Sequence, residues 1–317
     1  MAEYPLPTPI QMPEPSLRRQ VRRGLRTGGR LARRAGPVLV RQAVTRHRDP
    51  AAVAAAMRIA CEELGATYVK FGQLVASAPG VVGDNVAEEF RNLLDRGPGV
   101  PFPRVKRIIE RELGRPLAEL YREFDPKPVA AASIAVVHRA VLHSGEVVAV
   151  KVLRPGIAET VSSDLDLMEP VMRFLAEQGS DQAAVLYNYL IGLRAQIAEE
   201  LDLRNEALAM EYFRDLFQFF QLDKLAIPVV YPSHSSRRVI TMEFFDGVPI
   251  DDLARIEAIG MEPRPYVEEL LRAWILSGLL ASVFHADIHA GNLILLPEGK
   301  LGDGGLGYRR AFGRWHT

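Results

Sequence analysis

Val148-Ala149-Val150-Lys151-Val152-Leu153-Arg154-Pro155-Gly156 is a valine-rich run closed by Pro-Gly. Branched side chains favour a pleated strand, and Pro-Gly ends one. Just upstream, Val136 to His143 is a second such run, and Ser144-Gly145 joins it to Glu146 to Leu153, which predicts a β-hairpin. The small-residue segment Val129 to Ala135 leads into it. Helical periodicity takes over after Pro155. Leu186, Leu190, Leu193, Ile197 and Leu201 form one stripe, which Leu208 and Tyr212 continue. Val229-Val230 and Val239 to Phe245 read as strands, residues 265 to 284 as a helix, and Leu293 to Leu301 as a last hairpin around Pro-Glu-Gly. The alternation of helix and strand defines a mixed α+β chain.

Upstream of the hairpin the pattern is helical. Met57, Ala60, Leu64, Tyr68, Phe71 and Val75 fall on one stripe, which predicts one long helix over residues 51 to 77. Lys70 and Gln73 project from its opposite face, where a solvated surface is the ordinary expectation. Two shorter helices are expected near 84 to 95 and 103 to 113. Five prolines exclude regular structure from residues 1 to 15. From Ser16, Leu17, Val21 and Leu25 recur among arginines, predicting a short basic amphipathic helix broken at Gly28-Gly29.

The 317 residues carry 39 basic and 39 acidic side chains, so the net charge is zero. That balance is uneven along the chain. Residues 1 to 50 hold eleven arginines, no lysine and three acids, and the remainder is correspondingly acidic. An arginine-rich arm with apolar residues at helical spacing suits an anionic membrane surface; a solvated arm is the plainer alternative. The arm also resembles an organelle transit peptide, although serine is scarce. No aromatics interleave with the arginines, so nucleic acid is not expected as a partner. The single cysteine, Cys61, excludes an internal disulfide and a cysteine-based zinc site, and suits a reducing compartment. The longest apolar stretch, Leu270 to Phe284, contains Arg272 and falls short of the ~20 residues of a membrane span. With no signal-peptide pattern at the start, the expected location is cytoplasmic, peripheral at the inner membrane face.

Five constellations carry chemistry. Val148-Ala149-Val150-Lys151 matches the V-A-I-K strand of protein kinases, whose lysine holds the nucleotide α- and β-phosphates. His285-Ala286-Asp287-Ile288-His289-Ala290-Gly291-Asn292 has the H-x-D-x-x-x-x-N spacing of a kinase catalytic loop. There an Asp positions or deprotonates the attacking hydroxyl, and the Asn turns back onto Mg²⁺. The rival reading is a metal site, because on a strand His285, Asp287 and His289 would share one face. Asp303-Gly304-Gly305 stands where a kinase has D-F-G, and matches only its Asp and its Gly. Glu199, Glu200, Asp202 and Glu206 form a carboxylate cluster, with Asp202 and Glu206 at i, i+4 spacing on one helical face. Glu200 borders the leucine stripe and so requires a cation such as Lys70 or Lys151. The segment Ala130-Ala131-Ala132-Ser133 stands where a kinase has its glycine-rich loop, and contains no glycine. Each of these also has a bland reading as a strand end, polar turn or acidic helix; their order along the chain favours the kinase one.

Taken together, KFGQ at 70 to 73, AAASIAVVHRA at 130 to 140, VAVKVLRPG at 148 to 156, EELDLRNEA at 199 to 207 and HADIHAGN at 285 to 292 closely resemble the UbiB/AarF-type atypical protein-kinase-like family. The resemblance implies a protein-kinase-like fold with a helical N-terminal extension. It divides the chain into a basic arm (1–50), an extension carrying the Lys-x-Gly-Gln motif (51–125), an N-lobe with inserted helices (126–246) and a partial C-lobe (247–317). It implies ATP or ADP and Mg²⁺ as cofactors, an isoprenoid or quinone lipid as a further partner, and a kinase or ATPase activity in ubiquinone or isoprenoid-lipid metabolism. Lys70 and Gln73 would lie near the nucleotide, with Glu200 and Asp202 as partners. Lys151 would hold phosphates and pair with Glu206. Ala130, Ala131, Ala132 and Ser133 would replace the glycine-rich loop. Asp287 would be the catalytic Asp, with Asn292 and Asp303 on Mg²⁺. The chain departs from the family at Ile288 and Ala290, where proline is usual, and at Gly304, where phenylalanine is usual. It ends fourteen residues after Asp303, so an incomplete C-lobe and an inactive pseudokinase or lipid-binding module are the alternative expectation.

Overall fold

The computed structural model describes residues 8–47, 49–93, 99–281 and 293–303; at Ala281 and Asp303 it describes the backbone alone. Helix α1 (Leu17–Thr45) comes first. It runs unbroken through Gly28-Gly29, against the expected break there, and through Pro37. Glycine costs a helix only about 1 kcal/mol, and tertiary contacts hold α1 on both sides of the glycine pair. Arg23 reaches Asp164 and the Leu64 carbonyl, Thr27 meets the Tyr68 hydroxyl at 3.3 Å, and Arg34 pairs with Glu63.

Helix α2 (Pro50–Leu64) is capped by the Asp49 carboxylate, which accepts from the Ala52 N–H. Helix α3 (Ala66–Ala76) follows. The single helix expected over 51 to 77 is thus two. Gly65 sits between them at φ +100°, a backbone region open chiefly to glycine, and redirects the chain. Short α4 (Pro79–Val82) and α5 (Asp84–Arg91) pack back on this pair, and α6 (Phe102–Leu113) and α7 (Leu117–Leu120) lead to the sheet.

Strand β1 (Glu123–Ala131) was hidden in the sequence by Pro126 and Pro128. Proline is tolerated on an edge strand, and register shifts on both sides of Pro128 absorb the lost donors. The predicted hairpin is present as β2 (Ala135–Val141) and β3 (Val147–Leu153), in register from Ala135–Leu153 to Val141–Val147. Three helices follow: α8 (Ile157–Glu177), α9 (Asp181–Glu200) and α10 (Leu203–Phe219). The leucine stripe therefore turns a corner at Leu201-Asp202 instead of continuing. Asp202 caps α10 through the Arg204 N–H, so it and Glu206 do not share a continuous helical face. The chain then passes through β4 (Leu225–Ala226), β5 (Val239–Glu243), β6 (Val248–Pro249), α11 (Leu253–Ala258), α12 (Arg264–Ala281), β7 (Leu293–Leu296) and β8 (Lys300–Asp303). The strand expected at Val229-Val230 reduces to one bridge between Val230 and Met242.

Among the described residues two sheets result, ordered β1-β2-β3-β5 and β4-β8-β7-β6. Side chains alternate across the first. Val148, Val150 and Val152 of β3 face a core closed by α6 and Tyr121. Ala149 and Leu153 face the larger core, formed with α8, α9 and α10. Lys151 shares that second face by the same alternation. A third core joins α2, α3 and α5. It includes Cys61, whose burial pushes the thiol up to about 12, so it packs as an apolar residue.

His138 lies on the α6 side of β2, fully buried between Phe102 and Phe124. One ring nitrogen meets the Asp125 carbonyl at 2.9 Å, and Nε2 has no hydrogen-bond partner among the described residues. Burial holds its pKa below the ordinary value. The unfolded chain therefore takes up a proton below about pH 6.5 that the fold refuses, and stability falls as pH drops through that value. In urea titrations between pH 7.5 and 5.5, wild type is expected to lose more stability on acidification than His138→Phe. Equal pH slopes would contradict it.

Candidate functional site

The site is built where α3, the β1–β2 turn, β3 and the α9–α10 corner meet the larger core. Lys151 is 6% exposed, and its Nζ lies 2.8 Å from each carboxylate oxygen of Glu206 in the first turn of α10. A buried ammonium is tolerated only with such a partner. On α3, Lys70 is 5% exposed, contrary to the solvated face expected of it. The Gly65 break turns α3 so that this face looks inward, onto α8 and α9. The Lys70 Nζ meets the Glu200 carboxylate at 2.8 Å, and Gln196 donates to Glu200 from one turn earlier at 3.1 Å. Gln73 is half-buried on the same helix.

Between Lys70 and Gln73, Gly72 has a packing reason. A Cβ there would press on the Leu93 methyl and the Phe90 ring, so any larger residue requires these side chains to shift. Phe71 and Leu74 of α3 and Ala130 of the turn segment pack against the same core as Leu203 and Met210 of α10. Both lysine–carboxylate pairs thus border one apolar body.

Asp202 is buried, and its carboxylate takes the Arg204 guanidinium at 2.6 Å while capping α10. Ala130 and Ala131 end β1, and Ala132 and Ser133 turn into β2. Asp287 and Asn292 lie outside the described residues, as do His285 and His289. Asp303 ends β8. Among the described residues no cluster of three or more His, Cys, Asp or Glu side chains is arranged to hold a metal.

Two participants escaped the sequence reading. Arg154 is buried and donates to the Ala132 carbonyl. Within the N-terminal segment read as irregular, the described residues from Thr8 on are irregular but anchored. Thr8 exchanges hydrogen bonds with Asn205, and the Ile10 N–H reaches the Ala198 carbonyl, beside the carboxylate corner. Arg154 was visible in VAVKVLRPG but had no assigned partner; nothing local in residues 8 to 12 names theirs.

A β3 lysine clasped by a helix glutamate beneath a small-residue turn, on an antiparallel sheet followed by helices and a second sheet, defines a protein-kinase-like fold. Comparison with known proteins agrees. The ABC1 atypical kinase-like domain matches residues 92–307, and the chain belongs to that family. The chain is 41% identical over 246 residues to an uncharacterized chloroplastic aarF-domain-containing protein kinase of Arabidopsis thaliana, covering 76% of this chain and 45% of that one. It is 36% identical over 241 residues to a probable protein kinase UbiB of Marinobacter nauticus, covering 75% and 44%. Among solved structures it resembles Rv3197 of Mycobacterium tuberculosis, in complex with erythromycin, with a TM-score of 0.54 and 28% identity over 74% of this chain and 56% of that one. The chain spans about half the length of the curated relatives it matches. The UbiB/AarF resemblance read from the five motifs is borne out, as is the α+β kinase-like fold.

Lys70→Met is expected to take the Lys70 ammonium away from a Glu200 carboxylate that is only 16% exposed. The loss should fall toward the lower end of the ~3–5 kcal/mol typical of breaking a buried pair, since Glu200 keeps some solvent contact. Adding Glu200→Gln should recover most of it in the double variant. Urea unfolding of the four proteins measures this, and additive losses would show that the pair is not coupled.

Proposed function

We propose that this protein binds ATP or ADP with Mg²⁺ and acts as an atypical kinase or ATPase supporting ubiquinone or isoprenoid-lipid metabolism. The observation that carries the reading is the Lys151–Glu206 clasp, 2.8 Å to both carboxylate oxygens, at the end of the sheet where the Ala130–Ser133 segment turns. An ammonium held at a fixed point on a buried strand suits a polyphosphate, and alanine side chains leave room for close backbone approach. In this reading Lys151 orients the phosphates, and Glu206 holds Lys151 in place. Ala130, Ala131, Ala132 and Ser133 line the phosphates, and Lys70, Gln73, Glu200 and Asp202 border the nucleotide. Asp287 positions the attacking oxygen and takes up its proton. Mg²⁺, when bound, neutralises charge on the phosphate oxygens; Asn292 and Asp303 are its proposed ligands. The relatives named UbiB support the link to ubiquinone.

The surface of α1 supports a peripheral membrane location, with the chloroplastic relatives leaving an organelle transit peptide as the other reading of the arm. α1 contains no acidic residue, and Arg18, Arg22, Arg26 and Arg41 are exposed along it together with Leu17, Val21, Leu25 and Leu39. Basic and apolar side chains exposed on one helix match the headgroup region of an anionic bilayer. Among the described residues no helix is long and apolar enough to cross one.

Thermal unfolding with Mg²⁺ and ATP or ADP tests the nucleotide reading. At a hundred times its Kd, a ligand is expected to stabilise wild type by about 2.7 kcal/mol, with little effect on Lys151→Ala. Asp287→Ala should keep the shift and lose hydrolysis. Absence of any nucleotide-dependent shift in wild type would overturn the proposal, and a shift without Asp287-dependent turnover would favour a non-catalytic nucleotide-binding module.

Vesicle sedimentation tests the membrane reading. Wild type is expected to bind vesicles rich in anionic lipid, more weakly as salt rises, and a variant with Arg18, Arg22, Arg26 and Arg41 changed to Gln should bind far less. Equal binding by the two proteins would refute a role for α1.

A further inference from the structure

The turn between β1 and β2 lacks what usually shapes a phosphate-binding loop. It contains no glycine, and none of its residues adopts a positive φ. Its conformation is instead fixed from below by Arg154. This arginine directly follows β3, three residues beyond Lys151, and is 8% exposed. Its backbone N–H donates to the Ile134 carbonyl at 2.9 Å. Its guanidinium donates twice to the Ala132 carbonyl, from Nε at 3.0 Å and from Nη2 at 2.7 Å. Both ends of the three-residue turn are thus tied to one residue.

The peptide unit is planar and trans, so a carbonyl and the next N–H point in opposite directions. Gripping the Ala132 oxygen therefore also sets the direction of the Ser133 N–H. Charge-assisted bonds to a carbonyl are stronger than neutral ones, and the planar fork fixes an orientation that a lysine ammonium does not. β3 and the residue that follows it thus supply two cations with separate tasks. Lys151 is held by a helix carboxylate, and Arg154 holds the turn.

We propose that Arg154 is the positioning residue of the nucleotide loop, orienting the Ala132–Ser133 peptide for contact with phosphate oxygens. It replaces through a side chain the control that a glycine-rich loop exerts through its own backbone. The proposal rests on the nucleotide reading above.

Its test is Mg²⁺-ADP and Mg²⁺-ATP titration of the full chain with wild type, Arg154→Lys and Arg154→Gln, alongside circular dichroism and ligand-free melting. Both variants are expected to bind nucleotide about ten- to hundredfold more weakly, the scale on which misplaced contacts act. Any turnover should show the loss in KM more than in kcat. Nucleotide affinity equal to wild type in a folded Arg154→Lys would overturn the proposal. Hydrogen exchange in wild type gives a second measure that needs no variant. Nucleotide is expected to protect the Ser133 amide, and bound nucleotide that leaves residues 132–134 unchanged would also overturn it. Failure of wild type to bind nucleotide at all would count against the nucleotide reading itself.

Discussion

An ammonium group inside an apolar body must meet a carboxylate there, and this chain meets the requirement twice. Lys151 on β3 is clasped by Glu206, and Lys70 on α3 by Glu200. The carboxylates sit on either side of the α9–α10 corner, so a single bend in the chain supplies both partners. The sheet, the inserted helices and the N-terminal extension are held in register by these pairs. Displacing any one of the three would part a buried charge from its ion-pair partner.

A second buried node connects the extension to the inserted helices. Asp164 on α8 is wholly buried and accepts from Arg23 of α1 at 2.8 Å and from the Thr67 hydroxyl of α3 at 3.0 Å. Arg23 also donates to the Leu64 carbonyl at 2.7 Å, closing the end of α2. Four helices thus converge on one guanidinium and one carboxylate. The helix bearing Lys70 is therefore fixed from two sides, by Glu200 at one point and by Asp164 a turn earlier. The arginine-rich helix is part of the folded body and not a loose arm.

Much of this was legible in the sequence, and the rest was hidden for identifiable reasons. The β2–β3 hairpin could be read because valine runs flank Ser144-Gly145. The need of Glu200 for a cation could be read because it borders a leucine stripe. The register of α3 could not, because periodicity runs straight through Gly65, whose positive φ turns the helix and buries Lys70. β1 escaped because Pro126 and Pro128 argue against a strand unless it is known to be an edge. α1 was cut short at Gly28-Gly29 because local propensity counts the glycines and not the anchors on Asp164 and Glu63. The grip of Arg154 on Ala132 joins residues 22 apart in sequence, and no local pattern announces it.

The two prolines of β1 have a further consequence. An open sheet offers its outermost strand as a template for another chain, and a valine-rich sheet of four strands is a ready seed for such growth. Here the outermost strand lacks donors at Pro126 and Pro128 and is kinked on both sides of the latter. A passing strand finds an interrupted ladder and cannot zip along it. The irregularity that concealed β1 in the sequence therefore blunts that edge of the sheet against pairing with another copy.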